Sequence, residues 1–199
     1  MVKWDLDKIA QVKNLYKSGI SMNEVGSQLG VSVWSIRSLM LRQNIIRRPS
    51  NQTNHLRYVN SPLSYHLKTI LTLEDQLLKT GGLMLYWGEG AKKNTRTIDF
   101  ANSDPEMIAY FIQFFRTIYQ PQEDKFRVLL YTYHLTNISE QITYWSNLTQ
   151  IPPSQFSKPY IKTTSQQKHD KMPHGLIHIR YSDKRLFKQL MQDLDQVKC

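Results

Sequence analysis

Glu89 is the residue from which any chemistry in this chain must be sought. It stands between Gly88 and Gly90 at the end of Thr80-Gly81-Gly82-Leu83-Met84-Leu85-Tyr86-Trp87, the most apolar run in a basic, polar sequence. Glycine costs about 1 kcal/mol in a helix interior relative to alanine, so glycines at 81, 82 and 88 need a reason. Positions 81, 85 and 88 fall on one face of a 3.6-residue helix, and small residues there let another backbone approach closely. One reading is a helix that packs on a copy of itself through Gly81, Gly82, Leu85 and Gly88 and delivers Glu89 to a shared site. The other is a buried core helix whose glutamate starts a loop.

Other residue patterns offer less. His169, His174 and His178 have no cysteine partner and fit no common zinc spacing. Gly88-Glu89-Gly90-Ala91-Lys92-Lys93 lacks the spacing of a phosphate loop. No Ser/His/Asp or Cys/His constellation is visible.

The 199 residues are 40% hydrophobic and 11% aromatic, enough for one ordinary domain plus a small one with a packed core. The net charge is +10, distributed unevenly. Residues 1–63 carry nine Lys/Arg against three Asp/Glu, and residues 64–199 carry seventeen against thirteen. The excess is densest in the N-terminal third, which points to a polyanion, most simply nucleic acid. A single cysteine, Cys199, excludes a disulfide framework and suits a reducing cytoplasm. The N-terminus has no signal-peptide core, and the apolar run at 83–87 is too short to span a bilayer. The expected location is the cytoplasm, in association with the nucleoid.

Three helices are expected at the start. Leu6, Ile9, Val12, Leu15 and Tyr16 have helical spacing, with Gly19 as the stop. Ser21 with Glu24 forms a capping-box pattern that opens a second helix, over 22–29. Ser32 caps a third that runs to about Gln43. Val25, Leu29, Val31, Ile36 and Leu39 supply a small core, and Gly26 sits where a larger side chain would push the helices apart. The run Val25-Gly26-Ser27-Gln28-Leu29-Gly30-Val31-Ser32, with Ile36 after it, resembles a helix-turn-helix DNA-binding unit. That resemblance implies that the third helix enters a major groove and presents Trp34, Ser35, Arg37, Ser38 and Arg42. Residues 47–69 read as a basic linker, with Arg47, Arg48 and Arg57 available to a DNA backbone or minor groove.

The remainder alternates in type. A helical pattern over 63–78 leads into the Gly-rich helix, and Arg96–Phe100 alternates as a half-buried strand. Ser103 or Asp104 caps a helix over 105–119 with Pro105 at its first position and Pro121 after it, 126–133 is a strand, and a helix follows over about 138–149. Leu176–Tyr181 is a strand, and a helix over 183–194 closes the chain. The order defines an α+β fold with helices on one face of an antiparallel sheet. Alternation turns Thr95, Thr97, Asp99, Arg127, Tyr131, Tyr133, His178 and Arg180 away from the core.

This succession, opening on an apolar Gly-rich helix that ends in Leu85-Tyr86-Trp87-Gly88-Glu89-Gly90, resembles one half-domain of the LAGLIDADG homing endonucleases over roughly residues 70–195. Trp87 and Met84 depart from the usual letters of that motif. The resemblance implies three regions: a helix-turn-helix at 1–46, a linker at 47–69 and a LAGLIDADG-type domain at 70–199. It implies a homodimer joined through the Gly-rich helix, since one motif is present. It implies that Glu89, with Gly88, binds a catalytic Mg²⁺, that lysines drawn from Lys92, Lys93, Lys158 and Lys162 assist, with Lys92 and Lys162 foremost, and that the outward sheet residues lie over the major groove of double-stranded DNA. The implied activity is site-specific phosphodiester hydrolysis. The alternative is a transcription regulator on the same scaffold that does not cut.

Overall fold

The computed structural model describes residues 3–93, 96–133, 137–163 and 172–198. The chain divides into two compact units, Met1–Pro62 and Leu63–Cys199.

Unit 1 contains four helices: α1 (Leu6–Lys17), α2 (Met22–Gln28), α3 (Val33–Arg42) and α4 (Ser50–Asn60). The first three follow the sequence expectation closely, because their caps are explicit. Asp5 accepts from Lys8 N–H, Ser32 accepts from Ser35 N–H, and Ser21 and Glu24 close a reciprocal capping box. Their shared core is Val12, Tyr16, Val25, Ile36, Leu39 and Met40. Gly26 faces the turn between α2 and α3: a Cβ there would lie 2.7 Å from the Val31 carbonyl oxygen. The Val31 N–H donates back to the Gly26 carbonyl at 2.9 Å, so turn and glycine close on each other.

The linker expected at 47–69 is corrected. Its first half carries α4, which buries no side chain fully but sets Leu56 and Asn60 against Gly19 at the end of α1. Its second half belongs to unit 2, where Tyr65 is buried and bridges Pro121, and the Ser64 hydroxyl donates to Asp183 at 2.6 Å. Tertiary partners, not amphipathic periodicity, order both halves, and periodicity is all that the sequence offered for reading them. The helix expected from residue 63 likewise starts later, at α5 (Leu73–Glu89), where Thr72 and Asp75 form a capping box.

Unit 2 continues with β1 (Ile98–Asn102), α6 (Pro105–Tyr119), β2 (Phe126–Tyr133), α7 (Ile138–Thr149), β3 (Tyr160–Lys162), β4 (Leu176–Tyr181) and α8 (Lys184–Val197). It is an α+β unit with the strands in the order β1-β4-β2-β3. β4 pairs antiparallel with both β1 and β2, but β3 pairs parallel with β2, so the sheet is mixed rather than antiparallel. The chain reaches β3 from β2 by way of α7, and such a crossover returns the strand in the same direction.

Strand alternation sorts the two faces as expected. Ile98, Phe100, Phe126, Val128, Leu130, Ile177, Ile179 and Tyr181 are all buried. They meet Ile108, Phe111, Phe114 and Phe115 of α6, with Phe100 stacked on Phe111 at 4.1 Å between centroids. A buried carboxylate ties the helices together: Asp193 of α8 accepts from the Tyr119 hydroxyl at 2.7 Å and pairs with Lys79 of α5 at 3.2 Å. Burial and the adjacent Asp193 charge both push the Tyr119 hydroxyl far above its ordinary pKa.

Candidate nucleic-acid interfaces

The glycines of α5 are explained within the chain. A Cβ on Gly81 would fall 2.2 Å from the Tyr110 hydroxyl oxygen, and one on Gly82 would fall 2.1 Å from Phe114 Cγ. Both glycines therefore admit α6, and Leu85 packs on the same core. This corrects their assignment to a dimer interface: what approaches closely is the pair of side chains Tyr110 and Phe114 from the chain's own α6. A Cβ on Gly88 would meet nothing within 4 Å. The face of α5 that stays open runs through Leu73, Leu77 and Trp87, which are 73%, 63% and 49% exposed.

Glu89 ends α5 and is exposed. Beyond it, Gly90 N–H closes on the Tyr86 carbonyl at 2.8 Å, and the Tyr86 hydroxyl donates to the Ala91 carbonyl at 2.8 Å. Lys92 Nζ donates to the Trp87 carbonyl at 2.5 Å, so this lysine caps the negative end of the helix. Among the described residues no group of three His, Cys, Asp or Glu side chains could hold a metal. Glu89 thus offers one exposed carboxylate, and Mg²⁺ is commonly held by one or two carboxylates with waters and phosphates completing its octahedron. Lys162 is not gathered there. Gly90 bridges Phe100 of β1, whereas Lys162 lies on β3 at the opposite edge of the sheet. Three strand spacings, about 14 Å, separate those edges. Lys93 and Lys158 are exposed.

The outward face of the sheet has a definite register. One row across it is Asp99, Arg180 and Arg127; the next is Ala101, His178 and Leu129. A third is Leu176, Tyr131 and Tyr160, and a fourth pairs Tyr133 with Lys162. Asp99 binds both neighbours, accepting from Arg180 Nε at 2.8 Å and facing His178 Nδ1 at 2.8 Å. Burial works to raise the Asp99 pKa, but His178 and Arg180 outweigh it and hold the carboxyl below its ordinary value. Expected as a DNA contact, Asp99 instead spends both oxygens as a buttress that aims Arg180 and His178. Arg127 folds back, donating Nη1–H to the Asp124 carbonyl at 2.7 Å, and the Thr97 and Ser182 hydroxyls bond at 3.1 Å. At the β3 side Tyr131 touches Tyr160 and His178, and Lys162 Nζ lies 5.8 Å from the Tyr131 ring centroid. Tyr160, Leu129 and Leu176 were not anticipated; alternation alone would have placed the last two, but β3 is too short to show a period. Thr95 lies outside the described residues.

In unit 1 the outer face of α3 carries Trp34, Arg37, Ser38 and Arg42, all exposed, with the Arg37 guanidinium 5.4 Å from the Trp34 ring centroid. Ser35 is partly engaged, its hydroxyl bonded to that of Ser32 at 3.0 Å. Leu41, 70% exposed, belongs to the same stripe and was missed; a leucine on the polar side of an amphipathic helix was its signal. Arg47 is exposed, but Arg48 is not a free basic arm. Its guanidinium lies 4.1 Å from the Tyr16 ring centroid and donates to the Ile20 carbonyl at 2.7 Å.

No family model, curated protein or solved structure matches the chain. Among the described residues no helix is long and apolar enough to cross a membrane.

Proposed function

We propose that the chain is a site-specific double-stranded DNA-binding protein in which α2, the turn and α3 act as a helix-turn-helix. The observation that carries this reading is the exposed stripe of Trp34, Arg37, Ser38, Leu41 and Arg42 on a helix fixed by the Gly26 turn, in a unit that bears nine Lys/Arg against three Asp/Glu. Arginine and serine reach base edges from such a helix, tryptophan and leucine suit thymine methyls, and the net charge supplies phosphate affinity. Unit 2 reads as a LAGLIDADG-type half-domain that lays its outward sheet face on the same class of ligand. The support is the apolar helix leading into a sheet whose far side holds Arg180, His178, Tyr131 and Lys162. On this reading the protein works at the nucleoid, in the cytoplasm.

The test is selection from a random duplex library followed by anisotropy on the selected site. Arg37→Ala should weaken binding by about 1–3 kcal/mol and relax one base position if it reads a base edge. Failure to enrich any sequence would refute the reading.

A homodimer is proposed through the open stripe of α5. Leu77→Asp should convert dimer to monomer in light scattering, and a wild type monomeric at every concentration would count against it. A second reading, a Mg²⁺-dependent endonuclease, is favoured by one feature: Glu89 is exposed at the tip of that same helix. The glutamate of a two-fold mate, the DNA phosphates and waters would complete the coordination that Glu89 begins. Nicking of site-bearing plasmid with Mg²⁺ but not EDTA, lost in Glu89→Gln, would support cleavage. Tight binding without nicking leaves the non-cutting regulator.

A further inference from the structure

The stretch after α3 places three arginines around one cavity. That cavity, of about 230 Å³, is lined by Arg47, Arg48 and Arg57 together with Ser50, Thr53 and Asn54. The nearby carboxylate of Glu24 is already committed, accepting the Ser21 N–H at 2.9 Å through Oε2 while Oε1 lies 3.7 Å from Arg57 Nε. The positive charge is therefore only partly balanced.

Arg48 gives the sharpest sign. Its Nη2 bonds the Ile20 carbonyl, but its Nε and Nη1 are buried without any hydrogen-bond partner. An unsatisfied buried donor is costly, and more so on a charged group, and here an arginine that lines the cavity keeps two donors unspent. The eleven-residue helix α4 begins at the same cavity with Pro49 as its cap, no side-chain cap bond and no acidic residue in its first turn. Its positive end adds to the guanidinium field. Several guanidinium groups, hydroxyl donors and a helix N-terminus around one void match a tetrahedral oxyanion better than a planar carboxylate, which a single arginine satisfies.

We propose that this cavity binds a phosphate group. Two sources share that chemistry, a backbone phosphodiester of duplex DNA and a free phosphate or nucleotide. Only the first of these rests on the DNA-binding reading.

The experiment follows arginine Nε–H signals of the ¹⁵N-labelled full chain during titration with sodium phosphate and, separately, with a random-sequence duplex. Sodium chloride at equal ionic strength is the control for both. The expected result is a saturable shift of the Arg48 signal that chloride does not reproduce, weakened several-fold in Arg57→Gln and in Arg47→Gln. Both of those side chains are exposed, so these variants spare the fold. A response to phosphate and to duplex, with phosphate competing, shows one site for both sources. A response to duplex alone assigns the backbone, and the salt slope of binding should then fall by about 1 in Arg57→Gln. A response to phosphate without duplex binding keeps the cavity and removes the DNA reading. Silence of Arg48 in both titrations overturns the proposal, even if Arg37→Ala still lowers DNA affinity.

Discussion

Among the described residues, unit 1 holds its outward helix on six buried apolar side chains, whereas unit 2 holds its outward sheet face on twenty-four. Both present a cationic and aromatic surface, yet they secure it differently. Unit 2 relies on mass: Phe111 alone contacts four other rings, those of Tyr86, Phe100, Phe114 and Phe115. Unit 1 relies on local closure, through three capped helices, one tight turn and a guanidinium stacked on Tyr16. A small core leaves little reserve, so single backbone contacts should matter more there than in the sheet domain.

Substitutions can break that contrast, and the largest effect should come from the large core. Phe111→Ala should destabilise unit 2 by about 3–5 kcal/mol, since a ring-sized cavity opens among close neighbours. Methyl signals of Ile177 and Ile179 would report it in urea, while those of Val25 and Leu39 should keep their midpoint. Gly82→Val should cost unit 2 about 3 kcal/mol through forced contact with Phe114. Its sharper form is a cycle with Phe114→Leu, where the two changes should be less harmful together than their sum. Gly26→Ala should cost about 1–3 kcal/mol, the range for overpacking, and only in unit 1, because the obstruction is the Val31 carbonyl and backbone gives way reluctantly. If Gly26→Ala left the unit 1 midpoint unchanged, the idea of local closure would be wrong.

Acid should separate the units more gently. Burial tends to raise the Asp183 pKa, but the Ser64 hydroxyl and the N–H groups of Leu186 and Arg185 hold it below its ordinary value. The folded pKa is depressed, so this carboxylate stabilises unit 2 above its unfolded pKa, about 3.9, and the contribution fades as pH falls through the folded value. Asp183→Ala should therefore cost about 0.5–2 kcal/mol at neutral pH, as a lost helix cap, with the gap closing on acidification. The smallest effect belongs to the exposed pair at 3.7 Å between Arg57 and Glu24. Arg57→Gln should change unit 1 stability by less than about 1 kcal/mol, which makes it a clean probe of ligand binding.

How far the sequence could be read follows the same division between local and tertiary causes. Helix α6 was legible to the residue, because Pro105 marks its first position, Pro121 stops it and its apolar stripe is dense. The two faces of β2 and β4 were legible because alternation is a local property. Helix α4 was hidden, since its order depends on Gly19 and not on its own periodicity. The direction of β3 was hidden because three residues carry no pattern and α7 decides the pairing. The α5 glycines were seen to require a close neighbour, but nothing in one sequence distinguishes a neighbour on the same chain from one on a copy. Asp99 shows the same limit within the site. Its outward side was plain, while its role as a buttress depends on Arg180, 81 residues away.

That separation also sets a timetable. At a synthesis rate of about 5–20 residues per second, those 81 residues take roughly 4 to 16 seconds to appear. Strand β1 has no hydrogen-bonded neighbour in the sheet until β4 emerges, because its partner in the strand order is the last strand made. As they emerge within that interval, β1, α6 and β2 would display Phe100, Phe111 and Val128 without the β4 strand that completes the sheet over them. Unit 1, by contrast, is complete once residue 62 has been made. The nascent protein thus passes through a period with a finished basic head and an exposed aromatic body, a window in which chaperones would be expected to act.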